Sequence, residues 1–242
     1  MIVDVVLGPG GFDPETVRGK SVAAIDILRS SSTLITALSN RARKIFLFED
    51  PEEAREKSRG LKQGSVLLCG ERGGLKIGGF DLGNSPVEYS ADVVRNKTLF
   101  FSSTNGSKMI LKASRTATSV IIACFNNLTV AVNHLVQKDL DVVLVCSGKN
   151  NQFSLEDAVC AGMMADQLRR KCTETYRATD EAFSAVLLYR HFKDDLSGLM
   201  HFSEHGRYLK RIGMGTDLEY CARMDSLPVV PVLKNGFLGL QD

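Results

Sequence analysis

Four short polar stretches follow apolar, strand-like runs and hold the residue types that α/β enzymes use for chemistry. They span residues 26–33, 70–85, 102–106 and 146–157. Together they offer carboxylates for a hard metal ion, guanidinium and amino groups for an anion, and backbone N–H groups at helix starts. This combination predicts a site for a phosphorylated acid.

The first stretch combines a carboxylate in an apolar setting with a group that can bind an anion. Asp26 lies between isoleucines, where an ionised carboxylate loses solvation unless a cation or hydrogen bonds compensate. Arg29 and the serines Ser30, Ser31 and Ser32 stand at a predicted helix start, which is a suitable cradle for an anion. The alternative is an aspartate at a strand edge that bonds only to nearby backbone.

The second stretch must be a shaped loop, because six glycines in residues 70–86 rule out a stable helix or a central strand. Its acidic side chains can ligate Mg²⁺ and its basic side chains can meet negative substrate groups. The alternative is a flexible surface loop with solvated charges. The candidate residues in this loop are Glu71, Arg72, Lys76, Asp81 and Asn84.

The last two stretches have ordinary structural explanations beside functional ones. Asn105-Gly106 either makes a simple turn or presents backbone N–H groups to an anion. Ser154-Leu-Glu156-Asp157 fits a capping box, and Glu156 also suits the helix dipole. The functional alternative is that the two carboxylates hold a metal or activate water.

Composition and charge limit the class of protein. A net charge of +2 over 242 residues gives no general case for binding nucleic acid or a membrane. The chain shows neither a long apolar span nor the pattern of a signal peptide, so we expect a cytoplasmic protein. Its six cysteines lack paired short spacings and are expected to be reduced thiols. An enzyme of this size often forms a homodimer.

Apolar strand-like runs alternate with helix-like runs, which predicts an α/β fold with mainly parallel sheets. We expect two mixed α/β parts with the site between them. Residues 1–115 would carry the anion and metal loops, and residues 116–242 would carry long helices; a boundary at 172–178 is the alternative. The closing run 227–233 contains two prolines, which favours the edge of a sheet.

One apparent zinc-binding motif is not supported by the residues around it. His201-Phe-Ser-Glu-His205 matches the H-x-x-E-H zinc pattern in its letters. Gly206 follows directly and no third ligand is evident, so we interpret the match as chance.

Taken together and in order, the four stretches closely resemble the 2-phosphosulfolactate phosphatase family. The resemblance spans nearly the whole chain and includes Ser203-Glu-His-Gly-Arg207 and residues 213–221. It implies an α/β enzyme that uses Mg²⁺ to convert 2-phospho-3-sulfolactate to 3-sulfolactate and phosphate, a step toward coenzyme M. Such a substrate carries about four negative charges and requires several fixed cations.

The motifs identify most of the candidate positions in this chain, and we infer the individual roles from the chemistry of the residues. Metal ligands are expected among Glu71, Asp81 and Asp157; catalytic residues are Asp26, Arg29, Asn105 and Glu156; substrate-binding residues are Ser30, Ser31, Ser32, Arg72, Lys76 and Asn84. Asp26 is either a nucleophile that accepts the phosphoryl group or a further metal ligand, and Glu156 is an acid or a base. Two alternatives to the activity stay open: a phosphatase of another small phospho-acid, and a non-catalytic binder of an anionic metabolite.

Overall fold

A mostly parallel sheet with helices between its strands forms the centre of the molecule. The structure is a computed structural model that describes residues 1–62, 64–172 and 176–240. The strands are β1 (Ile2–Val6), β2 (Ser21–Ile25), β3 (Lys44–Phe48), β4 (Val66–Arg72), β5 (Leu75–Lys76), β6 (Thr98–Ser102), β7 (Ser119–Ala123), β8 (Val142–Cys146), β9 (Arg177–Ala178), β10 (Pro231–Lys234) and β11 (Phe237–Leu240).

The helices cover the faces of this sheet, and some of them lie around the carboxyl ends of its strands. They are α1 (Ser30–Ser39), α2 (Pro51–Ser58), α3 (Ala91–Val94), α4 (Gly106–Ala113), α5 (Leu128–Lys138), α6 (Leu155–Lys171), α7 (Asp180–Phe192), α8 (Leu196–Phe202), α9 (Glu204–Arg211) and α10 (Thr216–Cys221). Short 3₁₀ turns occur at Pro14–Val17, Pro86–Glu88 and Phe125–Asn127. In the part of the chain that the structure describes, no helix has both the length and the apolar character needed to span a membrane.

The strand order is β5-β4-β6-β3-β11-β10-β7-β2-β8-β1-β9. Every residue of β2 and of β8 is buried, as expected for parallel strands covered on both faces. The hairpin of β10 and β11 pairs antiparallel with β7 on one side and with β3 on the other. It therefore joins two groups of parallel strands into one sheet.

The predicted α/β class is confirmed, with two differences in detail. The strands form one sheet rather than two, because the C-terminal hairpin closes the gap between the strand groups. The expectation of an edge position for the closing run is wrong, since β10 lies inside the sheet. Pro231 is tolerated there because it is the first residue of its strand.

The division of the chain near residue 115 stays a prediction. Strands from both sides of that boundary alternate in the sheet, since β2 pairs with β7 and with β8. Residues 173–175 of the alternative boundary lie outside the described residues. The six cysteines are free, and five of them are buried.

Parallel pairing brings the four polar stretches to one edge of the sheet. Ile25 pairs with Cys146 at the ends of β2 and β8, and Gly70 pairs with Ser102 near the ends of β4 and β6. Gly70 has φ +143°, and a Cβ there would lie 2.0 Å from the carbonyl oxygen of Ser102. Only glycine allows this approach, which sets the loop after β4 beside the loop after β6.

Candidate active site

A cavity of about 190 Å³ opens at the carboxyl ends of the parallel strands, between the two strand groups. Such a crevice is where open α/β sheets bind ligands. The loops after β2, β4, β6 and β8 line this cavity. Helix α9, from the C-terminal part of the chain, forms another part of its wall. Its polar and charged lining consists of Asp26, Arg29, Ser30, Glu71, Asn84, Thr104, Asn105, Lys149, Asn150, His205 and Tyr208.

Asp26 lies at the floor of this cavity and is only 7% exposed. The backbone N–H of Ser30 donates to Asp26 Oδ1 over 3.2 Å. A Cβ on Gly106 would lie 2.7 Å from Asp26 Oδ2, so the start of α4 contacts this carboxylate closely. Burial raises the pKa of Asp26 to about 6, although the charge of His205 and the hydrogen bonds from Ser30 act in the opposite direction.

Glu71 connects the loop after β4 to the loop after β6. Its Oε1 accepts from the backbone N–H of Thr104 over 2.7 Å, and its Oε2 accepts from the backbone N–H of Gly74 over 2.7 Å. The Thr104 hydroxyl also donates to Oε2 over 3.1 Å. A carboxylate with these fixed donors keeps its position in the cavity wall.

Asn84 lies in the cavity wall and has a buried side-chain oxygen. Its Nδ2 donates to Ser30 Oγ over 3.3 Å, while its Oδ1 has no hydrogen-bond partner among the described residues. Leaving a buried acceptor unpaired costs about 1–3 kcal/mol, so such atoms call for an explanation. A bound cation or a ligand donor in the cavity would supply one.

Arg29 is held by a buried carboxylate from α10. One guanidinium nitrogen lies 2.7 Å from Asp217 Oδ2, and another donates to the carbonyl oxygen of Gly74 over 2.5 Å. The hydroxyl of Ser85 donates to the other oxygen of Asp217 over 2.6 Å. Among the described residues, Arg29 therefore has one charge partner, and it can offer only its remaining N–H groups to a ligand.

His205 reaches the cavity from α9 and is oriented by Glu156. Its Nδ1 lies 3.5 Å from Glu156 Oε1, which is a close approach rather than a hydrogen bond. Burial pushes the pKa of Glu156 upward, but His205, together with hydrogen bonding at the start of α6, lowers the pKa below its usual value. Glu156 is 1% exposed and lines a smaller neighbouring cavity, so it faces the site through His205.

Lys149 and Tyr208 complete the wall at the α9 side. The ammonium of Lys149 lies 2.7 Å from Glu204 Oε1 and 5.2 Å from the centre of the Tyr208 ring. The Tyr208 hydroxyl donates to the carbonyl oxygen of Gly73 over 2.8 Å. These contacts attach α9 to the loops after β4 and β8.

Several predicted site residues do not line the cavity. The hydroxyl of Ser31 accepts from the backbone N–H of Asp26, and the hydroxyl of Ser32 donates to the carbonyl oxygen of Ile27. Asp157 accepts from the backbone N–H groups of Ile27 and Gly148 over 2.8 and 3.1 Å. These side chains hold the loops after β2 and β8 in place.

Burial raises the pKa of Asp157 well above its usual value, and the charges of Glu156 and Asp26 add to the effect. This buried position gives Asp157 a supporting contact to the backbone rather than a place in the cavity wall.

The basic residues predicted in the glycine-rich loop also face elsewhere. The Arg72 guanidinium donates to the carbonyl oxygens of Glu71 and Glu49 and to the hydroxyl of Ser102. Lys76 is exposed and approaches the carbonyl oxygen of Asp81 at 3.4 Å. The Asp81 carboxylate accepts from the backbone N–H of Leu68 over 2.8 Å. None of the three appears in the cavity lining.

The predicted metal set of Glu71, Asp81 and Asp157 is not gathered in one place. In the described ranges, no group of three or more His, Cys, Asp and Glu side chains is arranged to hold a metal ion. The cavity nevertheless offers oxygen atoms of the kind that Mg²⁺ prefers: the carboxylates of Asp26 and Glu71 and the unpaired Oδ1 of Asn84. Mg²⁺ commonly uses one or two carboxylates and completes its shell with water and substrate phosphate, so these residues fit it.

Reasoning from the sequence missed six residues of the wall and its support: Thr104, Lys149, Asn150, His205, Tyr208 and Asp217. The segment Ser203-Glu-His-Gly-Arg207 is part of the family resemblance and could have identified His205. Residues 213–221 are also part of the resemblance and include Asp217, whereas no local pattern marks Tyr208, whose contact with Gly73 crosses 135 residues of sequence.

Comparison with known proteins gives a consistent result. A family model described as 2-phosphosulpholactate phosphatase matches residues 10–236. A probable 2-phosphosulfolactate phosphatase of Thermotoga maritima is 36% identical over 241 residues, covering 100% of this chain and 99% of its own. A protein of Clostridium acetobutylicum with the same description is 34% identical over 98% of this chain and 99% of its own. Another, of Caldanaerobacter subterraneus, is 34% identical over 92% of this chain and 91% of its own.

Proposed function

Because the chain belongs to the 2-phosphosulfolactate phosphatase family, we propose that it hydrolyses 2-phospho-3-sulfolactate to 3-sulfolactate and inorganic phosphate, with Mg²⁺ as its cofactor. The observation that carries the proposal is one cavity at the strand ends that joins Asp26, Glu71 and the unpaired oxygen of Asn84 to His205. Cytoplasmic location and a homodimer stay predictions.

Asp26, Glu71 and Asn84 would hold the metal ion, which neutralises charge on the phosphate and polarises its oxygens when bound. This assignment takes Asp26 as a ligand rather than as the nucleophile. The alternative is open to a direct test: a nucleophilic Asp26 leaves phosphate covalently attached to the protein during turnover, and Asp26→Asn does not.

The phosphate binds where α1 and α4 begin. Arg29 offers its remaining N–H groups, and the Ser30 hydroxyl and the Asn105 amide lie in the same wall. Helix starts and a guanidinium are the groups that stabilise the charge of a phosphoryl group. The ion pair with Asp217 fixes the position of Arg29 before the substrate arrives.

His205 supplies the proton that the leaving oxygen needs. Water attacks phosphorus, the bond from phosphorus to the ester oxygen breaks, and that oxygen takes a proton from His205 to become the hydroxyl of 3-sulfolactate. Glu156 acts as a positioning residue, because its approach to Nδ1 leaves Nε2 as the ring nitrogen for the substrate. His205 is reprotonated from solvent after the products leave.

The proposal is tested by phosphate release from 2-phospho-3-sulfolactate with Mg²⁺ and with a chelator, beside a panel of other small phospho-acids. We expect preferential release from the sulfonated ester that stops with chelator and returns with Mg²⁺. Phosphate release that is unaffected by the chelator would refute Mg²⁺ as the cofactor. Faster phosphate release from another ester would identify that ester, rather than the sulfonated one, as the substrate. Tight binding of 3-sulfolactate without turnover of any ester would favour a binding protein.

A further inference from the structure

A second cavity of about 430 Å³ adjoins the first and has a different charge. The two share Thr104, Asn105 and Asn150 in their linings. Lys108, Lys112 and Arg115 line the second cavity, against a single carboxylate, Glu49, among the described residues. The second cavity is therefore a basic extension of the first; we call it the α4 cavity.

The two lysines of the α4 cavity form no ion pair with the described residues. In the part of the chain that the structure describes, neither Lys108 nor Lys112 has a carboxylate within 4.0 Å, and Arg115 lies 3.8 Å from Glu49 Oε1. The cations of the first cavity differ, because Arg29 is paired with Asp217 and Lys149 with Glu204. Charge that can attract a second anionic group is thus concentrated in the α4 cavity.

The helix that carries these lysines is fixed against the catalytic carboxylate. Ser103 and Ser107 exchange hydrogen bonds at its start, over 3.1 and 2.9 Å. Gly106 contacts Asp26 so closely that a Cβ would not fit. Lys108 and Lys112 are four residues apart, so they share one face of α4, and Arg115 follows two residues after the helix ends. A ligand held at Asp26 therefore has this basic face beside it.

We propose that the α4 cavity binds the sulfonate group of the substrate through Lys108 and Lys112. This inference rests on the proposed function. The sulfonate sulfur lies two bonds from the carbon that bears the phosphate, whereas the carboxylate carbon lies one bond away. The sulfonate thus extends furthest from the reacting phosphorus and reaches the neighbouring cavity. Arg72 and Lys76, two cations that the sequence predicts to bind substrate, lie outside both linings.

The test compares the double variant Lys108→Met/Lys112→Met with the unchanged protein on two esters. One ester is 2-phospho-3-sulfolactate, and the other is 2-phospholactate, which lacks only the sulfonate. We expect KM for the sulfonated ester to rise at least about tenfold, with kcat unchanged, while KM for 2-phospholactate changes by less than about threefold. Lys108→Arg/Lys112→Arg should keep most of the affinity. Lys138→Met, which removes an exposed lysine from α5, is the matched control.

Calorimetric binding of 3-sulfolactate and of lactate separates this inference from the proposed function. If the unchanged protein hydrolyses neither ester, the proposed function fails, and selective weakening of 3-sulfolactate binding in the methionine variant would still support the α4 cavity. Equal changes in KM for both esters, no change for either, or no binding of 3-sulfolactate by the unchanged protein would overturn the inference.

Discussion

Replacing Gly106 with alanine tests whether the site depends on the close approach of α4 to Asp26. An alanine Cβ at this position would lie 2.7 Å from Asp26 Oδ2 and 2.7 Å from Ser30 Cβ. Both distances are about 0.7 Å short of the 3.4 Å at which ordinary contacts begin. Because both neighbours belong to the site, the helix or the carboxylate must move by a comparable amount.

The size of the effect follows from that displacement. A shift approaching 1 Å in a catalytic arrangement can cost about 10²-fold in rate, so we expect kcat/KM of Gly106→Ala to fall about thirtyfold to a hundredfold. Overpacking should also lower the free energy of unfolding by about 1–3 kcal/mol. This loss leaves a folded protein, since domains are stable by about 5–15 kcal/mol.

The assay is steady-state phosphate release, with urea unfolding of the same samples. Gly78→Ala is the matched control, because a Cβ at Gly78 meets no atom within 4 Å and its backbone does not require glycine. It should change neither activity nor stability beyond small amounts. If Gly106→Ala kept kcat/KM within about threefold of the unchanged protein, the close packing of α4 on Asp26 would not matter for catalysis.

Further predictions concern the buried charges of the site. Asp217→Ala leaves Arg29 buried without its partner and should lower the free energy of unfolding in urea by about 3–5 kcal/mol; a loss below about 1 kcal/mol would show that the ion pair contributes little. His205→Gln should lower kcat by about 10²–10³-fold, and Glu156→Gln by only about tenfold, measured on variants with unchanged circular dichroism; equal losses would remove the distinction between proton donor and positioning residue. The raised pKa of Asp26 means that its protonated form stabilises the metal-free fold fully below about pH 4, and this contribution is lost as pH rises through about 6. In urea unfolding without metal, the free energy of unfolding of Asp26→Asn should therefore rise relative to that of the unchanged protein between pH 4 and pH 7. A difference between the two proteins that stays constant over this range would refute the raised pKa of Asp26.

The positions of the chemical groups along the chain were largely readable from the sequence. Asp26, Ser30, Asn84 and Asn105 were predicted as site residues, and all four line the cavity. The reason is local, since each follows or neighbours the end of a strand or the start of a helix. Parallel strands bring such ends to one edge of the sheet.

The direction of individual side chains was not readable. Glu71 and Arg72 are consecutive in β4, where successive side chains point to opposite faces, so one lines the cavity and the other does not. Asp157 was predicted to bind metal, and it lies outside the cavity lining with its oxygens accepting from the backbone N–H groups of Ile27 and Gly148, so a metal role for it stays a prediction. Which partners a polar side chain finds depends on packing that no local spacing describes.

Local patterns thus established the α/β class, the strand ends that carry the chemistry and the family resemblance, because hydrophobic periodicity and short motifs depend on neighbouring residues. Long-range packing set the rest. It placed the C-terminal hairpin in the middle of the sheet, paired Arg29 with Asp217 across 188 residues, and brought His205 to Asp26. These contacts join segments far apart in the chain, and their geometry exists only once the whole sheet has formed.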